Sequence, residues 1–330
     1  VAGATPPGTT RRTIATNGIN LSVLEAGAPG PGDPTRPLVV LCHGFPELAY
    51  SWRHQFAAVA SAGWHVVAPD QRGYGDSDCP DEVTDYDIDH LTDDVAGLIA
   101  ALGHNSAVVV GHDWGAMVAW ALAQRIPEVV TAVAGLSVPL VPRPSGPPIE
   151  ILQAAFAGQF FYMVYFQQPG VADADLGADP AVTVRRFFAG VSTTTGADSL
   201  GDLFGPDDGR GMVERMGDPA ELPDWLDQRD LDVYADAFAR TGFTGPVNWY
   251  RNMDRNWHLG EPWAQRSVDV PSLFIAGGAD PVLVMSPPSV MDGLVTDLRG
   301  TVIVDGAGHW VQQQAPADVN AALTDFLSHL

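Results

Sequence analysis

Nine residues, Ala107 to Gly115, constrain this chain more than any others. Ala107-Val108-Val109-Val110 is a continuous apolar run, the pattern of a strand buried on both faces. Gly111-His112-Asp113-Trp114-Gly115 follows, and Ala116-Met117-Val118-Ala119-Trp120-Ala121-Leu122 then predicts a helix. Strand, sharp turn and helix, with one reactive side chain between small residues, is the context of a nucleophile elbow. Glycine is needed on both flanks because the turn is strained and its backbone passes close to the following helix.

The familiar elbow carries serine, and this one carries Asp113. Serine suits acyl transfer, because water can hydrolyse the acyl-enzyme. Serine attacking a saturated carbon would leave an ether that water does not readily cleave. A carboxylate attacking the same carbon leaves an ester, whose own carbonyl water can attack. An aspartate elbow therefore points to substrates with an electrophilic sp3 carbon, chiefly epoxides and alkyl halides. The pentapeptide alone is equally compatible with Asp113 capping the helix that follows it.

The rest of the chain sets the frame for this elbow. At 330 residues and 46% hydrophobic, it has room for one large α/β domain with an insertion, or for two smaller domains. Forty acidic residues face 17 basic ones, all arginine, for a net charge of -23. That balance disfavours nucleic acid and anionic membranes as partners. The two cysteines, Cys42 and Cys79, have no metal-ligand spacing and fit a reducing, cytoplasmic setting, with Cys42 buried in a strand. Residues 1–12 read as a flexible tail without the apolar core of a signal peptide, and no run approaches the ~20 apolar residues of a membrane span.

In chain order, residues 13–24 predict a β-hairpin around Asn17-Gly18. Leu38 to Cys42 is a buried parallel strand ending in His43-Gly44-Phe45-Pro46-Glu47, where His43 is expected to fix the loop and the Phe45 N–H to face an oxyanion. A helix over 51–62, a strand over 64–68 and a glycine-rich loop over 70–77 follow, with Asp70 and Arg72 expected to brace that loop as an ion pair. Asp89 to Leu102 predicts an amphipathic helix closed by Gly103. Strand and helix alternate as far as Val138, which means a mostly parallel sheet with right-handed crossovers. The pattern breaks in the Pro-rich linker 139–148. The stretch from Ile149 to about Gln265 reads as helical and aromatic-rich, with a long loop over 190–223. Strands return at 272–278 and 301–304, and a last helix runs from about Ala317. The expected organisation is a core of 13–138 and 268–330, interrupted by a helical cap with its linkers at 139–267.

A carboxylate nucleophile needs a base to activate water for the second step. His309, in Gly306-Ala307-Gly308-His309-Trp310, follows the last strand, and an unperturbed imidazole is neutral at physiological pH. Asp280 follows Ile275-Ala276-Gly277-Gly278-Ala279 and is placed to orient it. The other strand end that could supply an acid, around Ser137, has none. Nucleophile, acid, histidine is the chain order of the α/β-hydrolase fold.

With these motifs the chain resembles an α/β-hydrolase-fold epoxide hydrolase of the soluble type, from Ile14 to its end. The resemblance implies a triad of Asp113, Asp280 and His309, and an oxyanion hole from the backbone N–H groups of Phe45 and Trp114. It further implies two cap tyrosines that hold the epoxide oxygen. Phe161-Tyr162-Met163-Val164-Tyr165-Phe166 resembles the first site and Asn248-Trp249-Tyr250-Arg251-Asn252 the second, which gives Tyr162 and Tyr250. Tyr165 lies three residues beyond Tyr162, and spacing alone does not separate them. A phenol suits this task, since it stays protonated at rest and can donate to a departing alkoxide. Phe45, Pro46, Trp114, Tyr162 and Tyr250 are the expected substrate contacts, the substrate a small apolar epoxide, with no metal and no cofactor. Haloalkane dehalogenases share the aspartate elbow and are the nearest alternative, although this chain has Phe45 where many of them carry asparagine. A non-catalytic ligand-binding member of the fold is the alternative from another class. The oligomeric state, monomer or homodimer, is left open.

Overall fold

The computed structural model describes residues 4–30, 35–190, 203 and 205–330, and among these eight strands form one sheet. They are β1 (Thr10–Thr16), β2 (Ile19–Ala26), β3 (Leu38–Cys42), β4 (His65–Pro69), β5 (Ala107–His112), β6 (Val130–Leu136), β7 (Ser272–Gly277) and β8 (Leu298–Val304). Their spatial order is β1-β2-β4-β3-β5-β6-β7-β8. The β1–β2 hairpin joins β4 antiparallel, and every pairing from β4 onward is parallel.

The central strands are apolar throughout because both faces are covered. Val40, Cys42 and Val109 pack into one core with α2 (Ile88–Ala101) and α3 (Trp114–Arg125). Val39, Leu41, Val108 and Val110 alternate into a second core with α1 (Phe56–Ser61) and the C-terminal helix. The period of two along each strand thus divides one apolar run between two layers. Asp87 caps α2 by accepting from the His90 N–H, and Gly103, at φ +82°, lets the chain leave the helix in the left-handed region.

Between β6 and β7 the described residues hold only helices. These are α4 (Pro148–Ala155), α5 (Tyr162–Tyr165), α6 (Val171–Gly177), α7 (Pro180–Gly190), α8 (Met212–Arg215), α9 (Gln228–Thr241), α10 (Thr244–Arg251) and α11 (Met253–Leu259). After β7 come α12 (Val282–Met285), α13 (Val311–Gln314) and α14 (Pro316–Ser328). No helix among the described residues is long and apolar enough to cross a membrane.

The structure departs from the sequence reading in four places. β1 begins at Thr10, so the last three residues of the stretch expected as a tail pair with Val23 to Glu25. The helix expected over 51–62 is a short 3-10 turn, Ala49–Trp52, followed by α1; the break lets Tyr50, Ser51 and Arg53 reach α9 through Asp230 and Tyr234. The stretch expected as a loop over 190–223 lies partly outside the described residues (191–202 and 204), and its described part includes α8. Asp70 and Arg72 do not pair with each other. Their loop lies between the N-terminal hairpin and α2, so each charge is met by the element on its own side. Asp70 bonds Arg11 of β1 at 2.8 Å, and Arg72 holds Asp94 of α2 through two bonds of 2.8 and 2.7 Å.

Candidate active site

The β5–α3 turn is tight enough to exclude side chains around Asp113. Asp113 has φ +52°, a conformation that costs a non-glycine residue about 1–3 kcal/mol and that only a rigid surround maintains. A Cβ at Gly111 would overlap the Gly115 carbonyl, one at Gly115 the Cys42 carbonyl, and one at Gly44 the Asp113 side chain itself. The loop after β3 and the start of α3 therefore close on the aspartate from two sides.

This closure separates the two carboxylate oxygens of Asp113. Oδ1 accepts from the Phe45 N–H at 2.9 Å. Oδ2 lies 3.7 Å from His309 Nε2. Trp114 is the first residue of α3, so its N–H has no partner within the helix. On the far side of the imidazole, His309 Nδ1 sits 3.2 and 3.1 Å from the two Asp280 oxygens. Asp280 also accepts from the Val282 N–H at 2.9 Å, which fixes it at the head of α12. The three groups predicted at the ends of β5, β7 and β8 are together.

Their electrostatics differ from the sequence expectation of a neutral imidazole. Burial by itself would lower the His309 pKa, but the Asp280 charge and hydrogen bond, with the charges of Asp113 and Glu47, raise it to about 9. His309 therefore rests as imidazolium at neutral pH, between two carboxylates. Burial pushes Asp280 upward, yet the His309 charge and the hydrogen bonds it accepts hold it below the ordinary carboxylate range. The triad was legible in the sequence, but the balance between burial and these charges, which sets the protonation of His309, was not.

Two residues passed over in the sequence reading support His309 from below. The His309 carbonyl accepts from His112 Nε2 at 2.7 Å and from the Ser137 hydroxyl at 2.8 Å, which occupies both its lone pairs. His112 Nδ1 meets Glu47 Oε2 at 2.6 Å. Glu47 also accepts from the Gly44 N–H and from Gln312 and Gln313 of α13. Burial would raise the Glu47 pKa, but His112 and the Gly44 N–H bring it down to about 2. The available signal was two polar residues, Glu47 and His112, at the ends of neighbouring strands that are otherwise apolar. His43 has the structural place expected of it: Nδ1–H donates to the Gly44 carbonyl and Nε2 accepts from the Gln71 N–H. Burial pushes the Cys42 thiol up to about 12, so it is not a nucleophile.

Opposite Asp113, a cavity of about 490 Å³ has Asp113, Trp114, Tyr162 and Tyr250 in its walls. The Tyr162 and Tyr250 rings cross at 5.8 Å. Burial, and then the Asp113 charge, hold the Tyr162 phenol far above its ordinary range. Burial, followed by Tyr162 and Asp113, does the same to Tyr250. The Trp114 and Tyr250 rings meet edge to face, with centroids 5.1 Å apart. Tyr165 instead bonds Asp175 of α6 at 3.2 Å and is not a wall of this cavity. Nor are Phe45 and Pro46, which were expected to touch substrate. The Phe45 ring is enclosed by Phe166, Phe187 and Tyr250, and Pro46 is buried. Phe45 faces Asp113 through its backbone. Among the described residues, no group of three or more His, Cys, Asp or Glu is arranged to hold a metal ion.

A strained aspartate with one oxygen held and one directed at an imidazolium, under two phenols that stay protonated, can open a ring and cleave the resulting ester. The sequence profile of the alpha/beta hydrolase fold matches residues 37–316. The chain is 49% identical over 323 residues to Epoxide hydrolase A of Mycobacterium tuberculosis, covering 97% of this chain and 98% of that protein. It is 38% identical to Epoxide hydrolase 2 of Siraitia grosvenorii, covering 96% of this chain and 97% of that one. Among solved structures, Epoxide Hydrolase A from Mycobacterium thermoresistibile superposes with a TM-score of 0.91 at 50% identity, covering 97% of this chain and 98% of that chain. An epoxide hydrolase from an endophytic Streptomyces gives 0.90 at 37% identity, covering 98% and 96%. The chain belongs to the α/β-hydrolase fold family, among its epoxide hydrolases.

Proposed function

We propose that this protein converts apolar epoxides to vicinal diols through an ester on Asp113. The observation that carries the reading is the division of labour between the Asp113 oxygens. Oδ1 is held by the Phe45 N–H, which leaves Oδ2 as the nucleophile. Oδ2 attacks an oxirane carbon, the C–O bond on that carbon breaks, and Tyr162 and Tyr250 donate to the departing oxygen. Two donors over one atom also fix which carbon faces Asp113.

The ester carbonyl oxygen is then Oδ1, which the Phe45 N–H already holds, with the Trp114 N–H assigned as the second donor. One such donor is typically worth roughly 3–4 kcal/mol in the transition state. The protons balance across the cycle. The first step consumes the Asp113 charge and leaves an alkoxide, which takes up the proton His309 no longer holds. Neutral His309 then removes one proton from water as the water oxygen attacks Cγ, and the Cγ–Oδ2 bond breaks so that Oδ2 leaves as an oxygen of the diol. That alkoxide takes the remaining proton of the water, which restores the Asp113 carboxylate beside the imidazolium. Asp280 keeps the imidazole oriented throughout.

The paired phenols of Tyr162 and Tyr250, which suit a departing alkoxide better than a halide, favour an epoxide over a haloalkane. Residues 139–267 act as a cap over a core of 13–138 and 268–330. Two unpaired cysteines, Cys42 and Cys79, fit a cytoplasmic setting. The test is the intact mass of His309→Gln after exposure to epoxides and haloalkanes. A gain of one whole epoxide that does not clear is the expected result. An alkyl adduct without its halogen would make the protein a dehalogenase, and no adduct from either set would overturn the mechanism.

A further inference from the structure

The cavity extends well beyond the reacting carboxylate. From Asp113 it runs along α3 to the linker after β6 and to α11, between apolar side chains such as Met117, Leu140, Met163, Met253 and Trp263. Its volume of about 490 Å³ is that of a site for a whole small molecule, within the usual range of roughly 300–1,000 Å³. Two residues in its walls carry charge. One is Asp113, which belongs to the reaction, and the other is Arg143, which does not.

We propose that Arg143 binds an anionic group, a carboxylate by best geometric match, on the part of the substrate remote from the epoxide ring. This rests on the epoxide-hydrolase reading and names the class of substrate it acts on. The Arg143 guanidinium lies 3.9 Å from the centroid of the Trp257 ring and donates through NH2 to the Trp257 carbonyl at 2.8 Å. Its Nε–H is shielded from solvent and has no partner among the described residues, so a ligand would have to meet the terminal guanidinium nitrogens. Elsewhere a buried guanidinium meets a carboxylate, as Arg72 meets Asp94 and Arg251 meets Asp173. Arg143 has no such ion pair among the described residues, in a chain where acids outnumber arginines 40 to 17. A planar fork held still by a ring and a carbonyl is ready for two parallel hydrogen bonds to a carboxylate.

Fastening the linker to α11 does not explain Arg143, since the Trp257 indole already donates to the Pro144 carbonyl at 2.9 Å. The net charge of -23 opposes an anion only at long range. At physiological salt that repulsion fades over about 8 Å, whereas a guanidinium in the cavity wall acts at contact.

The test is a series of terminal epoxides of increasing chain length, each as free carboxylate and as methyl ester, with the wild type and Arg143→Met. Methionine keeps an apolar stem over Trp257. In the wild type, the preference in kcat/KM for acid over ester peaks at one chain length. Arg143→Met raises KM for that acid about 10- to 100-fold, as expected for losing hydrogen bonds to a charged group, and leaves its ester and both kcat values unchanged. Loss of acid and ester turnover alike would show a structural role and overturn the proposal. So would an acid preference that survives the substitution, or none at any length. Failure of the wild type to turn over any member would instead overturn the hydrolase reading on which the proposal rests.

Discussion

Replacing Asp113 by Asn isolates the charge that ester formation removes, and its effect on His309 can be worked out in advance. Asp113 Oδ2 lies 3.7 Å from His309 Nε2, and its charge helps to raise the imidazole pKa to about 9. A unit charge at that distance contributes ~1 kcal/mol at the dielectric of water and ~4 kcal/mol at an effective dielectric of 20, or ~1–3 pKa units. His309 should therefore fall to between about 6 and 8 once Asp113 is neutral. On the proposed mechanism it is a proton source before ring opening and a base after it. The assay is a titration of the His309 ring resonances by NMR in the wild type and in Asp113→Asn. Stopped-flow measurement of ester hydrolysis against pH in the wild type runs alongside it. The hydrolysis step should rise with pH through the midpoint found for Asp113→Asn, not through the midpoint of the resting enzyme. A His309 midpoint that moves by less than half a unit in the variant, or moves upward, would refute the reasoning.

Three further outcomes are expected. Tyr162→Phe and Tyr250→Phe should each slow alkylation by about 10²–10³, the loss usual for one donor at a developing oxyanion, with little change in ester hydrolysis. Tyr165→Phe should leave both steps within a few-fold, because its hydroxyl is bound to Asp175; rapid-quench measurement of each step decides this. The His309 pKa is raised on folding, so its stabilising contribution is fully present below the unfolded value near 6.5 and is lost as pH rises through about 9. The wild type should lose ~3 kcal/mol across that window relative to His309→Gln, read from chemical denaturation at pH 6 and pH 9.5. Glu47→Gln removes one charge from a fully buried pair with His112 and should cost about 3–5 kcal/mol in the same experiment. An unchanged midpoint would mean that the buried Glu47 charge contributes nothing to stability.

Much of this site was legible because each group follows an apolar run whose character is unmistakable. Val108 to Val110, Leu273 to Ile275 and Val302 to Val304 are strands in the structure as in the reading, and Asp113, Asp280 and His309 come just after them. Parallel strands put their carboxyl ends on one edge, so three residues distant in sequence converge without any further information. The cap was less legible for a related reason. Tyr162 and Tyr165 share a helix of four residues, and no periodicity along so short an element tells which ring faces the cavity. What separates them is Asp175, on a different helix, which takes the Tyr165 hydroxyl. Asp70 and Arg72 show the same limit, since adjacent opposite charges invite a local pairing that Arg11 and Asp94 replace.

The protonation of His309 lay furthest from the sequence, because it is set by a sum over space. Burial favours the neutral ring, and Asp280 first, then Asp113 and Glu47, outweigh it. Each of those carboxylates is fixed by a different strand end and held by backbone donors, through Val282 for Asp280, Phe45 for Asp113 and Gly44 for Glu47. The backbone thus holds three negative charges around one imidazole, and the chemistry removes one of them at the step where a base is required. An aspartate nucleophile supplies this change in charge, whereas a neutral serine in the same elbow would not. On the proposed mechanism, the residue that selects the electrophile in the first step also switches the histidine for the second.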